Sequence, residues 1–207
     1  MSNDTKDWAK ELIRCIHFLH AKGWAPATSS NYSFRINTND PIHISASGLD
    51  KGDFSTDDLM LVDAQGKALD KNRRPSAETL LHTLIYEQAP ATKCILHTHS
   101  VYNTVLSTLY AENGALTLSG FEVLKGIAGI KTHEVDVKIP IFPNSQEMTD
   151  LSAEIKKYWN QVDQFHGFLL AGHGFYTWGK TIAEAKRHME VFEFLFECFY
   201  KIEMAKH

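Results

Sequence analysis

The sequence predicts an α/β domain containing antiparallel strands, on three observations. Apolar residues recur at helical spacing in several capped segments, the first being Trp8, Leu12, Cys15, Ile16 and Leu19. Two alternating stretches, residues 32–36 and 42–45, flank the turn-rich 37–41 in the pattern of a β-hairpin. Short apolar runs such as Cys94, Ile95, Leu96 and Phe168, Leu169, Leu170 have strand length, and each leads into a histidine.

The first helix stops at Gly23, because glycine enters the left-handed backbone of a C-terminal cap without steric cost. After the hairpin, Ser55 and Asp58 have capping-box spacing around one short helical turn, and residues 59–62 follow as a strand. Pro75 and Ser76 open a helix through Tyr86 with Leu80, Leu81, Leu84 and Ile85 on its buried side. Ser100 caps a further helix to about residue 110, residues 116–118 form a short strand, and 121–127 is a brief apolar helix ending at Gly126 or Gly129. Residues 139–142 make a strand that Pro140 assigns to a sheet edge, because proline cannot donate to a ladder. Met148, Leu151, Ile155 and Trp159 mark a helix, and residues 168–170 and 175–178 are strands on either side of His173. Thr181 and Glu184 box the start of a last helix to about Met204, whose stripe of Val191, Phe192, Leu195, Phe196 and Phe199 is core or subunit interface. No repeat, low-complexity tract or linker divides the chain, so residues 1–207 are expected to form one domain.

With 43% hydrophobic residues, the chain can bury a full core. A net charge of −4, with lysines and arginines scattered among acids, lacks the basic stripe that nucleic acid requires. Cys15, Cys94 and Cys198 are an odd number set in helix and strand patterns, which fits reduced thiols and not a disulfide framework. The polar first ten residues and the lack of eighteen consecutive apolar residues predict neither export nor membrane spanning, so the expected location is the cytoplasm.

His97 and His99 are two apart after a strand-like run, so both side chains point to one face, about 6.6 Å apart along the backbone. His173 sits between Gly172 and Gly174, which allow a tight turn to bring its imidazole into a crowded centre. Three neutral imidazoles on one divalent metal leave a coordination position open, the mark of a catalytic site. A lone H-x-H is more often a surface or core feature, and the third histidine is what raises this one. His17, His20, His82 and His188 lie in helical patterns and receive no role.

A metal that polarises a carbonyl leaves a proton for some base to take, and a carboxylate is the usual choice. Glu122 is an acid in an otherwise apolar stretch, either facing a pocket or pairing with Lys125 on the same helical face. Glu78 stands at a helix start, where the helix dipole alone favours an acid. Ser30 and Asn31, Ser47 and Gly48, and Ser76 lie in hydroxyl-rich turns whose N–H groups can cradle a phosphate, with Lys51 adding charge. Singly each is a turn; together with three histidines they suggest a phosphorylated substrate.

In this order the residues resemble the class II sugar-phosphate aldolases and their relatives. The resemblance rests on the Ser/Thr/Asn turn at Ser29 to Ser33, Ser45-Ala46-Ser47-Gly48, Pro75-Ser76-Ala77-Glu78, His97-Thr98-His99 and His173-Gly174. It covers the chain from end to end, with Phe121-Glu122-Val123-Leu124-Lys125-Gly126 pointing to a dehydratase branch. It implies a three-layer α/β/α fold around a mainly antiparallel sheet, assembled as a homotetramer with active sites between neighbouring subunits. It also implies one Zn²⁺ per subunit on His97, His99 and His173, Glu122 as catalytic acid/base, and a pocket containing Ser30, Asn31, Ser47, Gly48, Lys51, Ser76 and Glu78. The reaction implied is dehydration of a methylthio-substituted ketose 1-phosphate to a 2,3-diketo phosphate in methionine salvage, through an enediolate. Related aldolases carry a catalytic glutamate where this chain has Glu78, so Glu78 is a rival base, and aldol cleavage or epimerisation of another ketose phosphate is the alternative. The fold also occurs in non-catalytic cytoskeletal scaffolds, against which the three histidines and Glu122 argue. Family members commonly carry glycine where this chain has Ser30.

Overall fold

The computed structural model describes residues 3–70 and 73–206. The helices are α1 (Asn3–Ala21), α2 (Thr79–Gln88), α3 (Val101–Leu109), α4 (Met148–Trp159) and α5 (Ile182–Met204). The strands are β1 (Asn31–Phe34), β2 (Ile42–Ser45), β3 (Leu59–Val62), β4 (Cys94–Thr98), β5 (Ala115–Leu118), β6 (Val137–Phe142), β7 (Gly167–Leu170) and β8 (Gly174–Gly179). They form one sheet in the order β3-β2-β1-β4-β8-β7-β6-β5. Of its neighbouring pairs, only β6 and β7 run parallel.

Period-2 alternation divides each central strand between two cores. Along β4, Cys94 and Leu96 pack with α1, α3 and α5, while Ile95 packs with α2 and α4 on the other face. Helices thus cover both faces, giving the three-layer α/β/α architecture with a mainly antiparallel sheet that the resemblance implies. The apolar stripe of α5 is core: Phe192 and Phe196 are buried against Phe175 of β8. Among the described residues, no helix is long and apolar enough to cross a membrane. All three cysteines are free, Cys15 and Cys94 buried and Cys198 partly so.

Two expectations need correction. The proline strand β6 is not an edge; it lies between β5 and β7, and the edges are β3 and β5. The N–H of Ile141 points toward β5, donating to Gly114 O at 2.9 Å, so alternation turns the Pro140 nitrogen toward β7. There the ladder begins only at Ile141 opposite Leu169, and no donor is missed. The helix expected from Pro75 and Ser76 begins later, at Thr79: the Thr79 N–H donates to Ser76 O at 3.0 Å, an i→i+3 turn in place of the α-helical i→i+4 bond, and Glu78 at the N-cap makes no side-chain cap.

Candidate active site

Cross-strand register builds the floor of the site. Asn31 of β1 lies opposite His97 of β4, and His97 lies opposite Tyr176 of β8, so three strands present Asn31, His97 and Tyr176 in one row on one face. The His97 ring stacks on Tyr176 with centroids 3.9 Å apart. His99 follows the end of β4 and is anchored by its N–H donating to Trp24 O at 2.8 Å. His173 occupies the tight β7–β8 turn, where Gly172 has φ of 63°. A Cβ on Gly174 would stand 2.3 Å from Thr98 O and 2.7 Å from His97 Cε1, so only glycine lets the turn close onto the other two histidines.

The three imidazoles offer nitrogens that all lie within 4.8 Å of one another. Two of their outer nitrogens are committed. His97 Nδ1–H donates to Phe175 O at 3.1 Å, and His173 Nδ1–H donates to Asn144 Oδ1 at 3.1 Å. In the neutral His97 ring, Nε2 then carries the lone pair, and it is this Nε2 that faces the cluster, 2.7 Å from His99 Nε2, as second-sphere partners of metal-binding histidines arrange it. Burial, followed by the neighbouring histidines, holds His97 well below the usual histidine range, and burial with His173 takes His99 down to about 4. Both are therefore neutral imidazoles at neutral pH.

Glu78 completes the cluster from the start of α2. Its Oε2 lies 3.2 Å from His97 Nε2 and its Oε1 lies 3.6 Å from His173 Nε2. Because His97 is neutral with its proton on Nδ1, the closer contact sets a lone pair against a carboxylate and is not an ion pair. Lone pairs of imidazole and carboxylate converging without a proton between them repel, and a cation among them removes that repulsion. The donor set thus fits a metal ion. The carboxylate is held from behind by Asn31 Nδ2 at 2.7 Å and by the Tyr176 hydroxyl at 2.5 Å. Burial, then the Glu78 charge, push the Tyr176 phenol far above its usual range, so it serves as a donor.

The remaining expected site residues divide into two groups. Ser30 and Asn31 are buried beside the histidines, and Ser30 adopts φ of 72°, a left-handed backbone that glycine enters without steric cost. Lys51 Nζ donates to Leu49 O at 2.7 Å and Thr28 O at 3.3 Å, tying the exposed Ser47–Gly48 turn to the Ser30 turn. Ser76 Oγ accepts from the Glu78 N–H at 3.3 Å. Glu122 stands apart: its side chain is 72% exposed on a 3-10 turn (Glu122–Gly126), and it pairs with Lys125 and with His133 Nδ1 at 3.2 Å. Within one chain, therefore, Glu78 and not Glu122 touches the histidines. Sequence reasoning passed over Tyr176, Asn144 and Glu193.

Glu193 of α5 supports the H-x-H segment from the opposite face of the sheet. Its Oε1 accepts from Thr98 Oγ1 and Asn103 Nδ2, each at 2.9 Å, while its buried Oε2 has no partner. Burial raises its pKa from 4.5 to about 7. A proton bound more tightly in the folded state makes this group's stabilisation complete below about pH 4.5 and lost as pH rises through about 7. Relative to Glu193→Gln, the wild type should lose about 3 kcal/mol of unfolding free energy between pH 4.5 and pH 8. Denaturant titrations at both pH values measure this; a constant difference between the two proteins would contradict it.

Comparison with known proteins agrees with this constellation. The family model described as class II aldolase and adducin N-terminal domain matches residues 10–200. The chain belongs to the class II aldolase and adducin N-terminal domain family. Among relatives of this class II aldolase domain, the methylthioribulose-1-phosphate dehydratase of Marinobacter nauticus is 46% identical over 92% of this chain and 91% of its own. The protein of the same name from Stenotrophomonas maltophilia is 47% identical over 92% of this chain and 88% of its own. The crystal structure of YgbL from Klebsiella pneumoniae superposes with a TM-score of 0.79 at 22% identity, covering 95% of this chain and 90% of that one. Its likeness is one of fold.

Proposed function

We propose that the chain, as a single catalytic domain over residues 1–207, dehydrates 5-methylthioribulose 1-phosphate to 5-(methylthio)-2,3-dioxopentyl phosphate in methionine salvage. The observation that carries this reading is the convergence of His97, His99 and His173 in a chain nearly half identical to proteins bearing that dehydratase name. His97, His99 and His173 would hold a zinc ion, which when bound would supply the positive charge that makes the C3 proton of the ketose acidic.

The chain's own residues do the rest. Ser30, Asn31, Ser47, Gly48, Ser76 and Lys51 hold the 1-phosphate through backbone N–H groups, hydroxyls and one ammonium. A carboxylate takes the C3 proton, and the C–H electron pair becomes the C2–C3 double bond of an enediolate. Glu122, carrying the proton taken from C3, gives it to the C4 hydroxyl, which leaves as water while the C2 carbonyl reforms, and the resulting enol tautomerises to the 2,3-diketone. Glu122 is exposed on its own chain, so it acts across a subunit boundary in a homotetramer. The exposed Val101 and Leu109 of α3, the helix that begins beside His99, provide apolar surface for such an assembly. Free cysteines fit a cytoplasmic setting.

A second reading is aldol cleavage or epimerisation of another ketose phosphate, favoured by Glu78 as the carboxylate beside the histidines. Incubating zinc-loaded protein with 5-methylthioribulose 1-phosphate and a panel of ketose 1-phosphates decides between them. Loss of water from the methylthio sugar supports the dehydratase; glycerone phosphate from another sugar supports the aldolase and overturns it.

A further inference from the structure

Behind Glu78, a line of buried polar groups runs away from the histidines into the core between the sheet and α2. His82 is completely buried on α2, among the buried Leu81, Leu84, Ile85 and Tyr86 of the same helix. Its Nε2 lies 2.5 Å from Asn31 Oδ1, and its Nδ1 lies 2.8 Å from Ser33 Oγ, which in turn is 2.9 Å from the Tyr86 hydroxyl. From Asn31, the line ends on Glu78 Oε2.

One assignment of protons satisfies every link. The Glu78 carboxylate only accepts, so the Asn31 amide must turn its NH₂ toward it and its Oδ1 toward His82. That oxygen also only accepts, so His82 carries its proton on Nε2. Nδ1 of the neutral ring then accepts from Ser33, whose oxygen accepts from Tyr86. Burial takes His82 down to about 3, so the ring stays neutral throughout the working pH range. With the opposite tautomer, an Nδ1–H would face Ser33 while a bare nitrogen faced Asn31 Oδ1, and the Asn31 amide would be free to turn its oxygen against Glu78.

We propose that His82 is a positioning residue: its Nε2–H fixes the orientation of the Asn31 amide, which thereby donates to Glu78 and aims that carboxylate at the histidines. The inference rests on the proposed reading that Asn31 and Glu78 line the substrate pocket. Two neighbouring facts strengthen it. Asn31 is paired in register with His97, so its amide sits directly beside the row that carries the histidine. Tyr176 holds the same carboxylate oxygen from the other side, so His82 and Tyr176 act on Glu78 from two directions.

The test uses the metal-loaded protein and two variants. His82→Leu removes the donor at similar volume; His82→Gln restores an N–H and an oxygen at comparable reach. Nitrogen-15 NMR of the wild type should show His82 protonated on Nε2 and bare on Nδ1, and one Asn31 side-chain NH₂ environment that changes in His82→Leu and persists in His82→Gln. Turnover should fall about 10- to 100-fold in His82→Leu with metal content retained, and stay within about threefold in His82→Gln. An Nδ1–H tautomer, an unchanged Asn31 signal in His82→Leu, or equal losses in both variants would overturn the proposal. If neither variant folds, the tautomer in the wild type decides. The NMR readouts need no substrate: an inactive wild type with the Nε2–H tautomer and the Asn31 response rejects the activity while upholding the relay, and an active one with the Nδ1–H tautomer does the reverse.

Discussion

Replacing His97 with alanine should strip the bound metal and lower turnover by about a thousandfold or more, the loss expected when several kcal/mol of charge stabilisation disappears. His97 is the most enclosed of the three histidines and the best anchored, stacked on Tyr176 and donating to Phe175 O. With that ring gone, His99 and His173 cannot hold a divalent ion with the same affinity. Metal analysis alongside turnover checks both halves. A His97→Ala protein that keeps stoichiometric metal would contradict the ligand assignment.

The second large effect is expected at Glu122. Glu122→Gln should keep its metal and its fold, because the residue is exposed and its contacts are Lys125 and His133, but lose about 10²- to 10⁴-fold in turnover as the proton donor disappears. Stability should change by little, since surface ion pairs contribute little. Near-normal turnover in Glu122→Gln would transfer the acid/base role to Glu78, which already stands at the histidines. The same pair of variants reads the assembly: if Glu122 acts across a subunit boundary, mixing inactive Glu122→Gln with inactive His97→Ala protein should restore part of the activity.

Much of the site was legible because its signals are local. Period-2 geometry pointed His97 and His99 to one side, although His99 lies past the end of β4 and is fixed by its N–H to Trp24 O, and the flanking glycines of His173 signalled a turn whose closeness the structure explains atom by atom at Gly174. The hairpin, the Ser55 and Thr181 caps and the stripe of α5 were legible for the same reason. What failed depends on neighbours distant in sequence. Pro140 looked like an edge residue because the rule concerns a missing donor, and only the register with β5 and β7 shows that no donor was needed there. His82 shared the spacing of an apolar helix face, so nothing local distinguished it from a core position. Its partners Asn31 and Ser33 are about fifty residues away along the chain. Glu78 had two local readings, and only the orientation of its carboxylate toward His97, in place of a cap on α2, separates them.

The account centres on a metal held by three histidines and put to work on a methylthio ketose phosphate. Its most direct test is to remove the metal with a chelator, add back zinc, and follow formation of 5-(methylthio)-2,3-dioxopentyl phosphate from 5-methylthioribulose 1-phosphate. The account predicts that water loss stops on stripping, returns with one zinc per chain, and does not return in His97→Ala. Dehydration that continues unchanged in the stripped protein, or that never occurs in the zinc-replete one, would contradict it.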